Sequence, residues 1–246
     1  MTRVLKWAGV LLAAWLAVPQ LADAACQTPV PRPRDATPER LYWPPWRTGV
    51  EQLTERLRPY DLSGARLAFV GDSITQWWDP GVFQRFYGRR AAVNLGVGGD
   101  ATQGTLWRLD NGNWPARLHP ATIVLLIGTN NLGLGSRPED VAGGIAEVIA
   151  KLQQLAGPQV KILLLGILPR GASPTDPMRP LVARVNQLIA VCADNQRVFF
   201  ADPGPALLDA TGQLSPAISP DGVHLSPAGY ERLSAQIEPH LGRILR

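Results

Sequence analysis

The chain has 246 residues, with 24 Lys and Arg against 20 Asp and Glu and a formal net charge of +4. That length suits a single α/β domain. The positive surplus is mild and scattered, without a Lys/Arg block, which excludes an electrostatic footprint for nucleic acid.

Residues 1–24 have the pattern of a secretory signal peptide. Arg3 and Lys6 start it, Trp7 to Val18 is apolar, and Ala22-Asp23-Ala24 supplies small residues for cleavage after Ala24. The apolar run is too short for a permanent span, so the chain is expected to be exported, to the periplasm or beyond, without stable membrane insertion. Residues 25–47 form a proline-rich arm. Its stretch QTPVPRPRDATPERLYWPPW holds six prolines, which predicts extended structure with no helix or central strand. Tyr42, Trp43 and Trp46 are placed to pin the arm by packing. Residues 48–246 constitute the remaining domain.

Val50, Leu53 and Leu57 mark a helix at a period near 3.6. Strands are predicted at 66–70, 91–95, 122–127, 160–165 and 197–201, and helices at about 101–111, 138–155, 179–195 and 227–245. The strands are continuously apolar, as expected for strands covered on both faces. Their alternation with helices predicts a three-layer α/β domain around a five-stranded parallel sheet. Cys26 and Cys192 could pair in an exported protein. The expectation adopted is that Cys192, in LIAVCAD, is a small apolar residue on the buried face of a helix.

In an open parallel sheet, ligands bind outside the carboxyl ends of the strands. After the first predicted strand comes Gly71-Asp72-Ser73, after the second Gly96-Val97-Gly98-Gly99-Asp100, and after the third Gly128-Thr129-Asn130-Asn131. A long loop after the fifth carries Asp221-Gly222-Val223-His224. A hydroxyl, an imidazole, a carboxylate and several N–H donors at one edge make an inventory for acyl transfer. A serine needs a base to take its proton. Of the three histidines, His119 precedes a strand and His240 lies within the last helix, which leaves His224 as base with Asp221 orienting its ring. Ser73 and Gly99 can offer backbone N–H groups, and Asn130 its carboxamide, to an oxyanion. Asp100 with Gln103 has the form of a helix-capping pair, and Asn131 that of a turn residue.

These blocks, GDSI at 71–74, NLGVGGD at 94–100, GTNN at 128–131 and DGVH at 221–224, resemble in order and spacing those of the SGNH (GDSL-type) hydrolases. GGDATQGTLWRLDNGNW, VAGGIAEVI and LLLGILPRG look further like the catalytic subunits of the intracellular platelet-activating-factor acetylhydrolases. The resemblance implies a Ser73–His224–Asp221 triad, with oxyanion donors at Ser73, Gly99 and Asn130. It implies a flavodoxin-like sheet, with no metal and no organic cofactor.

The expected activity is that of a secreted serine esterase acting on short acyl groups, acetyl above all, carried by carbohydrate or small esters. Ile74 and Val223 are expected to wall an acyl pocket. Trp77 and Trp78 are candidates for a sugar platform, one of them being expected in the core. Arg170 is a candidate contact for a polar leaving group or a solvated surface residue. A lysophospholipase or thioesterase of the same fold is the alternative, and a catalytically silent carbohydrate-binding module a more distant one. A homodimer is compatible with this reading.

Overall fold

The computed structural model describes residues 26–245. The leader and its cleavage motif therefore lie outside the described residues. Five strands, β1 (Leu67–Gly71), β2 (Ala92–Gly96), β3 (Thr122–Leu126), β4 (Lys161–Leu165) and β5 (Val198–Ala201), form one sheet in the order β2-β1-β3-β4-β5. Every pairing is parallel, with Leu67 opposite Ala92 on one side and Thr122 on the other. Each strand lies within one residue of its expected position. This is the flavodoxin-like order, and its switch point falls between β1 and β3.

Alternate residues of the central strands feed two cores. Ala68, Val70, Ile123, Leu125, Ile162 and Leu164 pack beneath α1 (Pro44–Leu57), α4 (Thr102–Asp110), α6 (Pro138–Ala156) and α7 (Met178–Ala190). Leu67, Phe69, Val124, Leu126, Leu163 and Leu165 pack beneath α3 (Pro80–Tyr87) and α8 (Pro227–Ile244). The period of two therefore sorts side chains between two helical layers, although neither face is polar. Helix α3 is an addition to the expected elements. Its start signal is Asp79-Pro80, in which the Asp79 carboxylate accepts from the Val82 N–H at 2.8 Å and proline takes N1.

Two expectations about the arm are corrected. Helix α1 begins inside it, at Pro44-Pro45, because proline is tolerated in the first turn, where no intrahelical N–H partner exists. Cys192 is not a free apolar residue: it is disulfide-bonded to Cys26, with Cα atoms 4.6 Å apart. Helix α7 ends at Ala190, short of the expected 195, so Cys192 sits in the turn beyond it, and periodicity carries no information on where the arm begins. Of the three aromatics, Trp46 is fully buried while Tyr42 is exposed and Trp43 half exposed, so Trp46 supplies the anchor. Among the described residues, no helix is long and apolar enough to cross a membrane.

Candidate active site

Ser73 opens the one-turn helix α2 (Ser73–Gln76) directly after β1, with Asp72 as N-cap accepting from the Ile74 N–H at 2.9 Å. Close packing of α2 onto the sheet edge needs glycine at the end of β2, since a Cβ on Gly96 would collide with the backbone of Gln76. From α8, the Tyr230 hydroxyl donates to the Ile74 carbonyl at 2.8 Å and fastens α2 from the other side.

His224 comes from the loop before α8, fixed by a turn built on Asp221. Asp221 Oδ1 accepts from the backbone N–H of Val223 at 2.9 Å and of His224 at 2.7 Å, an Asx-type turn. Gly222 between them sits at φ +76°. Asp221 Oδ2 lies 2.6 Å from His224 Nδ1, and His224 Nε2 lies 2.9 Å from Ser73 Oγ. Ser219 Oγ donates to the His224 carbonyl at 2.8 Å and steadies the loop.

Chemistry decides the proton positions. Burial pushes the Asp221 carboxyl up, but hydrogen bonds from the His224 ring and from the two backbone N–H groups outweigh it and hold the group at about 2. An ionised carboxylate can only accept, so His224 Nδ1 carries the proton. Nε2 is then the acceptor, and the Ser73 hydroxyl donates to it. The arrangement can withdraw a proton from Ser73 Oγ.

The loop after β2 brings Gly98 beside Ser73, a Cβ there lying 4.0 Å from that of Ser73. The Gly98 N–H donates to Gln76 Oε1 at 2.6 Å. Gly99 takes φ +74°, and a Cβ there would run into the six-membered ring of Trp43, so both conformation and contact require glycine. From α5 (Thr129–Gly133), Asn130 Nδ2 donates one hydrogen to the Asp100 carbonyl at 2.8 Å. A carboxamide nitrogen carries two, and this anchor sets the direction of the second.

Buried polar groups hold the edge together, and the largest of them, Arg108, is not among the residues singled out from sequence. It is fully buried, as is Asp100. Arg108 Nε donates to Asp100 Oδ2 at 2.7 Å, and its Nη2 reaches the Gly71 carbonyl at 3.4 Å, two residues before Ser73. Asp100 also accepts from Thr105 at 2.7 Å and from the Trp46 indole at 2.9 Å. The expected Asp100–Gln103 capping pair is therefore not formed: Ala101 is the N-cap of α4, and Asp100 turns inward to its ion pair. Asn131 is structural, fully buried and bonded to Thr102 and Gln103 at 2.9 Å each.

The remaining candidates divide. Trp77 is exposed, its ring centroid 4.5 Å from that of His224. Trp78 and Ile74 are 3% and 2% exposed within the α3/α8 core, so Trp78 is the tryptophan expected in the core, and Ile74 does not wall the site. Val223 stays half-buried beside His224. Arg170 is half-buried rather than freely solvated and donates to the Thr129 carbonyl at 3.1 Å. A cavity of about 750 Å³ lies along the β2 edge, lined by Arg56, Tyr60, Gln76, Phe83 and Asn94, and neither Ser73 nor His224 lines it. Among the described residues, no three His, Cys, Asp or Glu side chains converge as a metal site.

Comparison with known proteins agrees with this geometry. Residues 69–232 match the model of the GDSL-like Lipase/Acylhydrolase family. Over 181 residues, 73% of this chain and 76% of the relative, the sequence is 36% identical to platelet-activating factor acetylhydrolase IB subunit alpha1 of Bos taurus. It is also 36% identical to the human alpha2 subunit over 72% of this chain and 76% of that protein. Among solved structures, a Streptococcus pneumonia protein named for platelet activating factor superposes with TM-score 0.66 at 25% identity, covering 80% of this chain and 94% of that one. The acetylxylan esterase Axe2 of Geobacillus stearothermophilus shares the fold, with TM-score 0.58 and 21% identity over 75% of this chain and 96% of that one. The family match covers the strand ends that bring Ser73 and His224 together, and the chain belongs to the GDSL-like lipase/acylhydrolase family.

Proposed function

We propose that this protein is an exported serine esterase that removes acetyl groups from carbohydrate or other small esters. One observation carries the reading: the continuous relay from Ser73 Oγ to His224 Nε2 at 2.9 Å and from His224 Nδ1 to Asp221 Oδ2 at 2.6 Å. In this account Ser73 Oγ attacks the ester carbonyl while His224 Nε2 takes its proton. The carbonyl oxygen becomes an anion that accepts from the N–H groups of Ser73 and Gly99 and from Asn130 Nδ2. His224 then gives its proton to the departing alcohol. Water, deprotonated by the same imidazole, releases acetate from the acyl-serine and restores the enzyme.

The acetyl assignment draws support from the acetylhydrolases among the sequence relatives. The alcohol side is open and aromatic, with Trp77 against His224, which favours a small polar alcohol over a buried aliphatic chain. Export is supported by the Cys26–Cys192 disulfide, a bond that persists in oxidising compartments. The test is acetate release from acetylated xylan, pectin and chitin fragments and from an acetylated phospholipid. Release from a saccharide, lost in the Ser73→Ala variant, is expected. Release from the phospholipid alone would replace the carbohydrate reading with the lipid one.

A further inference from the structure

The proline-rich arm lies before the family match, yet it ends on the candidate oxyanion loop. It starts at the Cys26–Cys192 bond and continues past Glu147 of α6, which pairs with Thr28 and Arg32. It is stitched to α4 by Thr102 Oγ1 donating to the Asp35 carbonyl at 2.7 Å and by the Glu39 N–H donating to the Gln103 carbonyl at 3.0 Å. It then delivers two tryptophans, Trp43 as the N-cap of α1 and Trp46 in its first turn. They grip the loop after β2 at successive residues: the Trp46 indole bonds Asp100 from within at 2.9 Å, and Trp43 lies against Gly99.

Trp46 explains the anchoring; Trp43 remains 53% exposed. Trp77 is 55% exposed beside His224. Large aromatic side chains left open, one beside His224 and one on the loop that carries Gly99, match the composition of ligand sites, apolar walls with few convergent polar groups. Each indole offers a flat surface on which the C–H face of a sugar ring packs while its hydroxyls remain in water.

We propose that Trp43, brought by the arm, and Trp77 form a ring-stacking subsite for the alcohol portion of the ester, making acetylated pyranose rings the preferred substrate. The proposal rests on the reading of Ser73 as nucleophile and names Trp43 as a specificity-determining residue outside the region shared with the family model. Trp43 would act on ring-bearing substrates and leave the chemistry of small acyclic esters far less affected.

Two measurements test it. Binding of acetylated xylobiose to the Ser73→Ala protein, monitored by calorimetry, should weaken at least tenfold when Trp43→Ala is added and partly recover with Trp43→Phe. In the protein with Ser73 intact, Trp43→Ala should lower kcat/KM for acetylated xylobiose at least tenfold more than for ethyl acetate. Equal losses on both esters would mean that Trp43 only buttresses the Gly99 loop, and would overturn the proposal. So would unchanged xylobiose binding, or Trp43-dependent binding to phosphatidylcholine vesicles without saccharide binding. If Ser73→Ala retained full hydrolysis, the nucleophile assignment would fail, while a Trp43-dependent ratio between the two esters would still uphold the stacking subsite.

Discussion

Asp221 uses its two oxygens for different purposes. One builds the turn that presents His224, and the other fixes the tautomer of the ring. Replacement by Asn keeps the shape of the turn but no longer forces Nδ1 to carry the proton. Asp221→Asn should lower kcat by about 10³–10⁴-fold with a small change in KM, measured on a soluble acetyl ester. Because Asp221 ionises at about 2, it keeps accepting from His224 Nδ1 and its own protonation should not limit kcat/KM above about pH 4. The depressed Asp221 also contributes stability that is present above its unfolded value of about 3.9 and is lost as pH falls towards 2. Asn130 donates to the Asp100 carbonyl and by that bond aims its second hydrogen. Asn130→Ala should reduce kcat about 10²–10³-fold in the same assay. Asp221 and His224 are legible in the sequence because three residues and a turn-forming Asp-Gly link them. The inward direction of Ile74 is not legible, because the order of residues after Ser73 does not reveal which side of a one-turn helix faces solvent; the burial of one of the two tryptophans is, and it falls to Trp78.

At the scale of elements, the active edge is a set of short turns held by buried polar groups. Asp72 caps α2, yet its second oxygen is buried without a hydrogen-bond partner. Burial, and then the nearby Asp100 charge, push its carboxyl up to about 7 against the Ile74 N–H and Arg170. The folded protein therefore holds a proton that the unfolded chain releases near 4. Stability falls as pH rises from about 4 to about 7 and levels off beyond, by up to about 4 kcal/mol from linkage. Asp72→Asn retains an oxygen for the Ile74 N–H. Urea midpoints at pH 5 and pH 8 should lie closer together in that variant than in the wild type. An unchanged difference would show that Asp72 is not the group responsible. Strand positions and their parallel pairing are legible because continuous apolar runs alternate with helical periods. Arg108 is not, since an arginine in a helical pattern reads as solvated until its buried partner, Asp100, is known to face it.

At the scale of the molecule, the arm is a structural part of the domain. The three-layer architecture can be read from residues 66–245 alone. The path of the arm cannot, because it depends on contacts more than a hundred residues away, from Cys26 to Cys192 and from Thr28 to Glu147. The disulfide joins residues 166 apart, and closing so long a loop restricts the unfolded chain strongly. Replacing both cysteines with serine should lower stability by about 2–5 kcal/mol, read as a fall in the urea midpoint. Reduction of the wild type should reproduce the fall, and equal midpoints in all three samples would contradict it.

Activation of Ser73 as a nucleophile by His224 can be read from its reactivity towards a fluorophosphonate, with the adduct mapped by peptide mass spectrometry. One adduct per chain is predicted, on Ser73, forming at least about 10²-fold more slowly in His224→Ala. An adduct on another residue with Ser73 unmodified, or Ser73 labelled at the wild-type rate without His224, would contradict the account.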